Sequence, residues 1–227
     1  RPFFLYLAHW AVHSPLQATR EDYEAVGDIQ PHRLRVYAAM VRALDRSVGR
    51  ILDKLEEQGL REDTLVVFVS DNGISFGHHG FWGKGNGTYP PNMYENSIKV
   101  PFVISHPGRI PENSVQQAMV SSYDFMPTLL DYLALPLPEG VDLPGQSVLL
   151  MLQGENDVGR DEVVIYDEYG TTRMVRTEEW KYVHRHPDGP HELYDLVHDP
   201  DERENLANDP RQTARIGELK MRLQDWF

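Results

Sequence analysis

The apolar run Leu65-Val66-Val67-Phe68-Val69, closed by Ser70-Asp71-Asn72-Gly73, constrains this chain more than any other feature. A short run of β-branched and aromatic residues ended by a glycine turn predicts a buried strand of the parallel type. In open α/β sheets ligands bind beyond the carboxyl ends of such strands. Asp71 and Asn72 therefore stand where a hard cation could sit, since carboxylate and amide oxygens suit calcium or magnesium better than zinc. The same residues are also ordinary turn chemistry, and spacing leaves both readings open. Lys84 follows in Gly83-Lys84-Gly85-Asn86-Gly87, where backbone freedom suits an ammonium placed against an anion. His13, His78 and His79 are candidates for donating to, or protonating, an ester oxygen; any single one is more often a packed or surface residue.

Other segments predict an alternation of strands and helices. Phe3 to Ala8 reads as a strand, and Pro15 makes the stretch around His13 a loop. From Leu34 to Gln58 the positions Tyr37, Val41, Leu44, Val48, Ile51 and Leu55 form a helical stripe, with Gly59 suited to end it. Arg42, Arg46 and Arg50 read as its solvated face. Val100 to Ile104 is a further strand, Tyr123 to Leu135 a helix with Pro127 in its first turn, and Val163 to Tyr166 a short strand after the polar stretch Gly154 to Asp161. Beyond Tyr169-Gly170, three short strands over 171–176, 181–185 and 192–196 predict a small antiparallel sheet, and 214–227 a helix. The expected fold is α/β: a mostly parallel sheet flanked by helices over residues 1–168, then a small antiparallel sheet plus helix over 169–227.

Composition narrows the function. The 227 residues carry a net charge of −13, which disfavours nucleic acid and anionic membranes as partners. An anionic substrate must then be drawn by a local cluster of cations. The absence of cysteine removes disulfides, thiolate metal sites and cysteine nucleophiles from this chain. The chain opens at Arg1-Pro2 and passes at once into an apolar run, which reads as a piece of something longer. No phosphate-binding Gly-x-x-x-x-Gly-Lys loop or His-Glu-x-x-His zinc helix occurs.

Several ordered motifs carry a resemblance: Phe3-Phe4-Leu5-Tyr6-Leu7 with His13-Ser14-Pro15, Tyr37-Ala38-Ala39-Met40, and Thr64 to Phe68 leading into Ser70-Asp71-Asn72-Gly73. They continue with Gly80-Phe81-Trp82-Gly83-Lys84, Met93-Tyr94-Glu95, Val100 to Ile104 and Pro127 to Asp131. Lys181-Tyr182, Glu192 to Leu196, Asp199-Pro200-Asp201-Glu202 and Glu204-Asn205-Leu206 close the series. Together they resemble the second half of a type I sulfatase, of the alkaline phosphatase superfamily. The resemblance implies hydrolysis of sulfate esters of small molecules or carbohydrates, with Asp71 and Asn72 as ligands of calcium (or magnesium) and Lys84 on a sulfate oxygen. It further implies His13 on the leaving-group side and His79 near the substrate.

That family uses a formylglycine made in a Cys/Ser-x-Pro-x-Arg motif, preceded by a pair of aspartates that complete the metal site. Both belong to the first half, so the resemblance implies a missing N-terminal half of the same polypeptide, inactivity of this chain alone, and a periplasmic or secreted setting. Ser105-His106-Pro107-Gly108-Arg109 fits the loose motif but reads as a strand-exit turn, with Pro111 against a following helix. Compared with shorter members, several residues are inserted between Lys84 and Tyr94. A phosphodiesterase or phosphonate monoester hydrolase of the same superfamily, and a non-catalytic fragment or binding protein, are the alternative expectations.

Overall fold

A computed structural model describes residues 2–155 and 159–227, so Arg1 and the middle of the polar stretch 154–161 lie outside the described residues. The chain divides into two compact units, residues 1–65 and 66–227.

In the first unit, helix α1 (Arg20–Ala25) is capped by Thr19, whose side chain accepts from the Asp22 amide. Helix α2 (His32–Glu57) forms over the expected segment, with Gly59 at φ +64° in the left-handed position that ends it; its buried residues are Ala39 and Met40, while Val41 of the expected stripe is exposed. Arg42 and Arg46 are not simply a solvated face. The buried Asp22 carboxylate takes a two-point contact from Arg46, at 2.7 and 2.9 Å, and a third from Arg42 at 3.3 Å. These bonds fasten α1 to α2 and hold the Asp22 carboxyl well below the usual carboxylate range.

The expected strand at 3–8 is not one: the segment is irregular, and Phe3 to Leu7 are 50–82% exposed. A strand needs a neighbour to take its N–H and C=O groups, and no described segment runs beside this one.

In the second unit the run after Leu65 forms β1 (Val66–Val69), which pairs with β4 (Phe102–Ser105). The pairing is antiparallel, which corrects the expectation of a parallel neighbour for this pair; on its other edge β1 has no partner among the described residues. Between them lie the short hairpin β2 (Ser75–Phe76) and β3 (Trp82–Gly83), and the single turn α3 (Glu95–Ile98). After β4 the chain turns at His106, whose carbonyl accepts from the amides of Arg109 and Ile110. No helix follows there, in keeping with the reading of 105–109 as a turn. Helix α4 (Phe125–Tyr132) begins behind a Ser121–Asp124 capping box and has Pro127 in its first turn. It ends before Leu133, which is exposed. Helix α5 is Leu149–Leu152.

The remaining strands make one antiparallel sheet in the order β5 (Glu162–Tyr166), β6 (Thr172–Thr177), β7 (Trp180–Arg185) and β8 (Glu192–Asp195). The sheet therefore starts on the near side of residue 168. Alternation along the strands separates two apolar faces. Val164, Val175, Tyr182 and Leu193 pack on Leu219 and Leu223 of helix α6 (Thr213–Asp225), with Ile216 and Trp226 beside them. Met174 and Val183 face the other way and pack with Met93, Ile98 and Ile165. The second face thus abuts the loop that carries Lys84 and Tyr94. No helix among the described residues is long and apolar enough to cross a membrane.

One edge of this sheet gathers three imidazoles. Buried His184 stacks on His191 and meets His186 edge-on, both at 4.4 Å, and shares a 2.9 Å hydrogen bond with the Tyr182 hydroxyl. Burial, then the neighbouring His191 and His186, with Lys220 from α6 and Arg173 from β6, push His184 from the ordinary 6.5 down to about 4. The unfolded chain therefore binds this proton more readily. The stabilisation is complete above about pH 6.5 and is lost as the pH falls through about 4. Thermal melts from pH 7 to pH 4 will show a steeper acid-side decline for the native chain than for His184→Gln.

Candidate active site

Asp71 and Asn72 occupy the turn at the carboxyl end of β1. Ser70 donates its hydroxyl to the Asn72 carbonyl at 2.8 Å, and the Asn72 amide donates to the Asp71 carboxylate at 2.9 Å. Gly73 follows for a steric reason. Its amide donates to the Ser97 carbonyl at 3.0 Å, and a Cβ there would lie 2.2 Å from the Asn96 carbonyl oxygen. The turn is thus pressed against α3 at the one residue with no side chain.

Lys84 meets this turn. Its Nζ donates to Asn72 Oδ1 at 2.9 Å, while Asn72 Nδ2 donates to the Gly73 carbonyl at 2.9 Å. The turn that carries both candidate metal ligands, Asp71 and Asn72, is therefore met by Lys84, the candidate for binding an anion. Buried Asn92 closes the inserted loop: its side-chain nitrogen donates to the carbonyls of Lys84 and Gly85 and to the Thr88 hydroxyl, and its oxygen accepts from Ser97 at 2.6 Å. The ends of this loop are tied beside Lys84, and Tyr89 between them is fully exposed.

His79 stands at φ +56° in the turn between β2 and β3, and its ring lies flat on Tyr94, with centroids 3.6 Å apart and planes 2° apart. Burial, then the charge of His78, lowers its pKa from the ordinary value. Tyr94 in turn leans on Tyr194 of β8. The expected roles put His79 and Lys84 on one substrate, and both lie in the 77–94 segment. His13 lies in the first unit, exposed in the loop after residue 10, with its Nδ1 2.8 Å from the Ser14 carbonyl.

The residues flanking Tyr94 are held by Lys181 of β7. This fully buried ammonium donates to the Met93 carbonyl at 3.0 Å, to Glu202 at 2.6 Å and to Glu95 at 2.7 Å. Glu202 also accepts from the Glu95 amide at 2.7 Å, and Arg176 contacts Glu95 at 3.3 Å. Burial pushes both carboxyls up. At Glu95 the two cations outweigh it and the pKa falls, whereas at Glu202 burial prevails and it rises. The sequence shows Tyr94, Glu95, Lys181 and Glu202 only as members of motifs; nothing in their spacing, with 86 residues between Tyr94 and Lys181, announces contact.

Among the described residues no group of three or more His, Asp or Glu is gathered to hold a metal. Asp71 and Asn72 are hard oxygen donors, right in kind for calcium or magnesium. They are too few, since such ions take about six to eight ligands.

Adding a methyl at Gly73 must displace either the 71–73 turn or α3. Gly73→Ala is expected to cost about 1–3 kcal/mol and to break the Lys84–Asn72 contact, read by urea unfolding and by the Asn72 side-chain amide resonances.

The family model for Sulfatase matches residues 1–135, and that for N-sulphoglucosamine sulphohydrolase, C-terminal, matches residues 77–226. A sulfatase of Formosa agariphila is 33% identical over 100% of this chain and 46% of its own length. A protein solved in complex with its substrate, D-glucosamine-2-N,6-O-disulfate, superimposes with a TM-score of 0.74 at 28% identity, covering 90% of this chain and 44% of the other. The phosphonate monoester hydrolase of Agrobacterium radiobacter gives 0.74 at 29% identity, over 86% and 41%. The chain thus spans about half the length of the relatives it matches, and its α/β architecture is the alkaline phosphatase-like one of these neighbours. The two family models together span residues 1–226, and the chain belongs to the sulfatase family.

Proposed function

We propose that this chain is the C-terminal part of a sulfuric ester hydrolase and supplies half of its active site. The observation that carries the reading is the 2.9 Å bond between Lys84 Nζ and Asn72 Oδ1 at the end of β1, which joins an anion-binding cation to a hard oxygen ligand. Residues 1–168 are taken as the C-terminal part of the α/β domain, and 169–227, with β5 joined through the sheet, as the small subdomain.

Asp71 and Asn72 would hold a divalent cation, calcium or magnesium, which when bound neutralises charge on the sulfate. The remaining ligands and the formylglycine are assigned to the upstream half of the same polypeptide. Lys84 donates to a sulfate oxygen in both ground and transition states. His79, on its aromatic support, lies beside the substrate, and His13 passes a proton to the departing alcohol oxygen. A sulfated carbohydrate is the favoured substrate class, supported by the similarity to a protein that binds a disulfated glucosamine. An exported, periplasmic or secreted, setting goes with that class.

Restoring the upstream half allows the roles to be separated. Lys84→Ala is expected to lower kcat/KM by about 10²-fold or more, with weaker binding as well as slower turnover. His13→Ala should cost about 10²-fold for alkyl sulfates and much less for aryl sulfates with good leaving groups. Steady-state kinetics over such a series measures both. An equal His13→Ala loss for every leaving group would transfer the acid role to His79. The similarity to a phosphonate monoester hydrolase supports one second reading: faster turnover of an aryl phosphonate monoester than of the matching sulfate would favour it.

Metal binding is tested without activity. Calorimetric titration of the 227-residue chain should show calcium affinity weaker than micromolar, because only two ligands are present. Micromolar binding would overturn the two-ligand account.

A further inference from the structure

We propose that Lys181 is a positioning residue for the candidate site: by fastening both neighbours of Tyr94 to the C-terminal sheet, it fixes the aromatic surface on which His79 rests. Met93 is held through its carbonyl and Glu95 through its carboxylate, so the bonds from one ammonium bracket the intervening tyrosine. Glu202 closes the bracket by binding the same ammonium and the Glu95 backbone amide. The Tyr94 ring then lies 3.6 Å from the His79 ring and parallel to it within 2°.

His79 is exposed, in a turn held through the Ser75 hydroxyl on the His78 and Phe81 carbonyls. It sits in a turn between glycines with positive φ, Gly77 and Gly80, and is itself left-handed at +56°. A non-glycine residue in that region persists when its surroundings hold it there. The flat face of Tyr94 is the contact the structure provides. The apolar packing of Met93 with Met174 and Val183 sets the distance between loop and sheet; the Lys181 bonds set the angle at which Tyr94 leaves the backbone. The sheet thus acts on the substrate side through one side chain it never presents to the substrate.

The inference rests on His79 as a substrate-binding residue, yet its first test needs no catalysis. In the 227-residue chain, the His79 ring protons, identified by their loss in His79→Gln, are expected upfield because they lie over the Tyr94 ring. Lys181→Met should return them to ordinary positions, as should Tyr94→Leu. Leu223→Ala, a core truncation on the opposite face of the sheet, should leave them in place. Where Lys181→Met does not fold, Glu202→Gln, which keeps the size and removes one charge, is read in the same way. Unmoved His79 protons in a folded Lys181→Met or Glu202→Gln chain would overturn the proposal.

In the polypeptide with its upstream half, Lys181→Met should raise KM for a sulfated sugar about tenfold while changing kcat less. An equal fall in kcat with KM unchanged would overturn the positioning role. Absence of sulfate ester hydrolysis in the native enzyme would instead overturn the proposed function and leave the ring-proton result standing by itself.

Discussion

The buried ammonium of Lys181 is the interaction on which the second unit is organised. A lysine has three donors, and all three are used: Met93, Glu95 and Glu202 each take one. Removing such a charge from water costs several kcal/mol, and only good geometry with full hydrogen bonding offsets it. The surroundings meet that condition, since Lys181 bonds both Glu95 and Glu202 and Arg176 also contacts Glu95. What the cluster secures is less total stability than a choice of arrangement: one register of the site loop against the sheet satisfies every member. A small shift of that loop would strand a charge in the interior.

Much of this was legible in the sequence because it depends on local rules. Helix α2 forms over the segment its apolar stripe marks out and stops at the glycine able to adopt positive φ. The four short strands and α6 follow from alternation, turns and helical spacing. The juxtaposition of Asn72 and Lys84 was legible only through the resemblance; the spacing of the residues left the turn chemistry and the ligand reading equal. The contact itself needs the fold, for Gly73 must press on α3 and Asn92 must tie the inserted loop.

Other features depended on partners far along the chain. An apolar run announces burial but not the direction of its neighbour, so Val66–Val69 read as parallel and pairs antiparallel with Phe102–Ser105. Phe3 to Ala8 has the composition of a strand and lacks the neighbour that would make it one. Arg42 and Arg46 look solvated on a helical wheel; only the approach of α1 reveals Asp22 between them. The cluster around Lys181 joins three distant stretches of sequence, and no local pattern encodes such a meeting.

The hydrogen bonds of Asn72 also explain why an amide, rather than an acid, stands at that position. An ammonium can only donate and a backbone carbonyl can only accept. A side chain touching both must offer an oxygen to Lys84 and an N–H to Gly73, which fixes the orientation of the amide plane. Aspartate, of nearly the same shape, would attract Lys84 more strongly but set two oxygens against each other at Gly73. It would also neutralise Lys84, against the anion-binding role proposed for it. The amide leaves the positive charge of Lys84 undiminished, pointed by a neutral neighbour toward whatever anion enters.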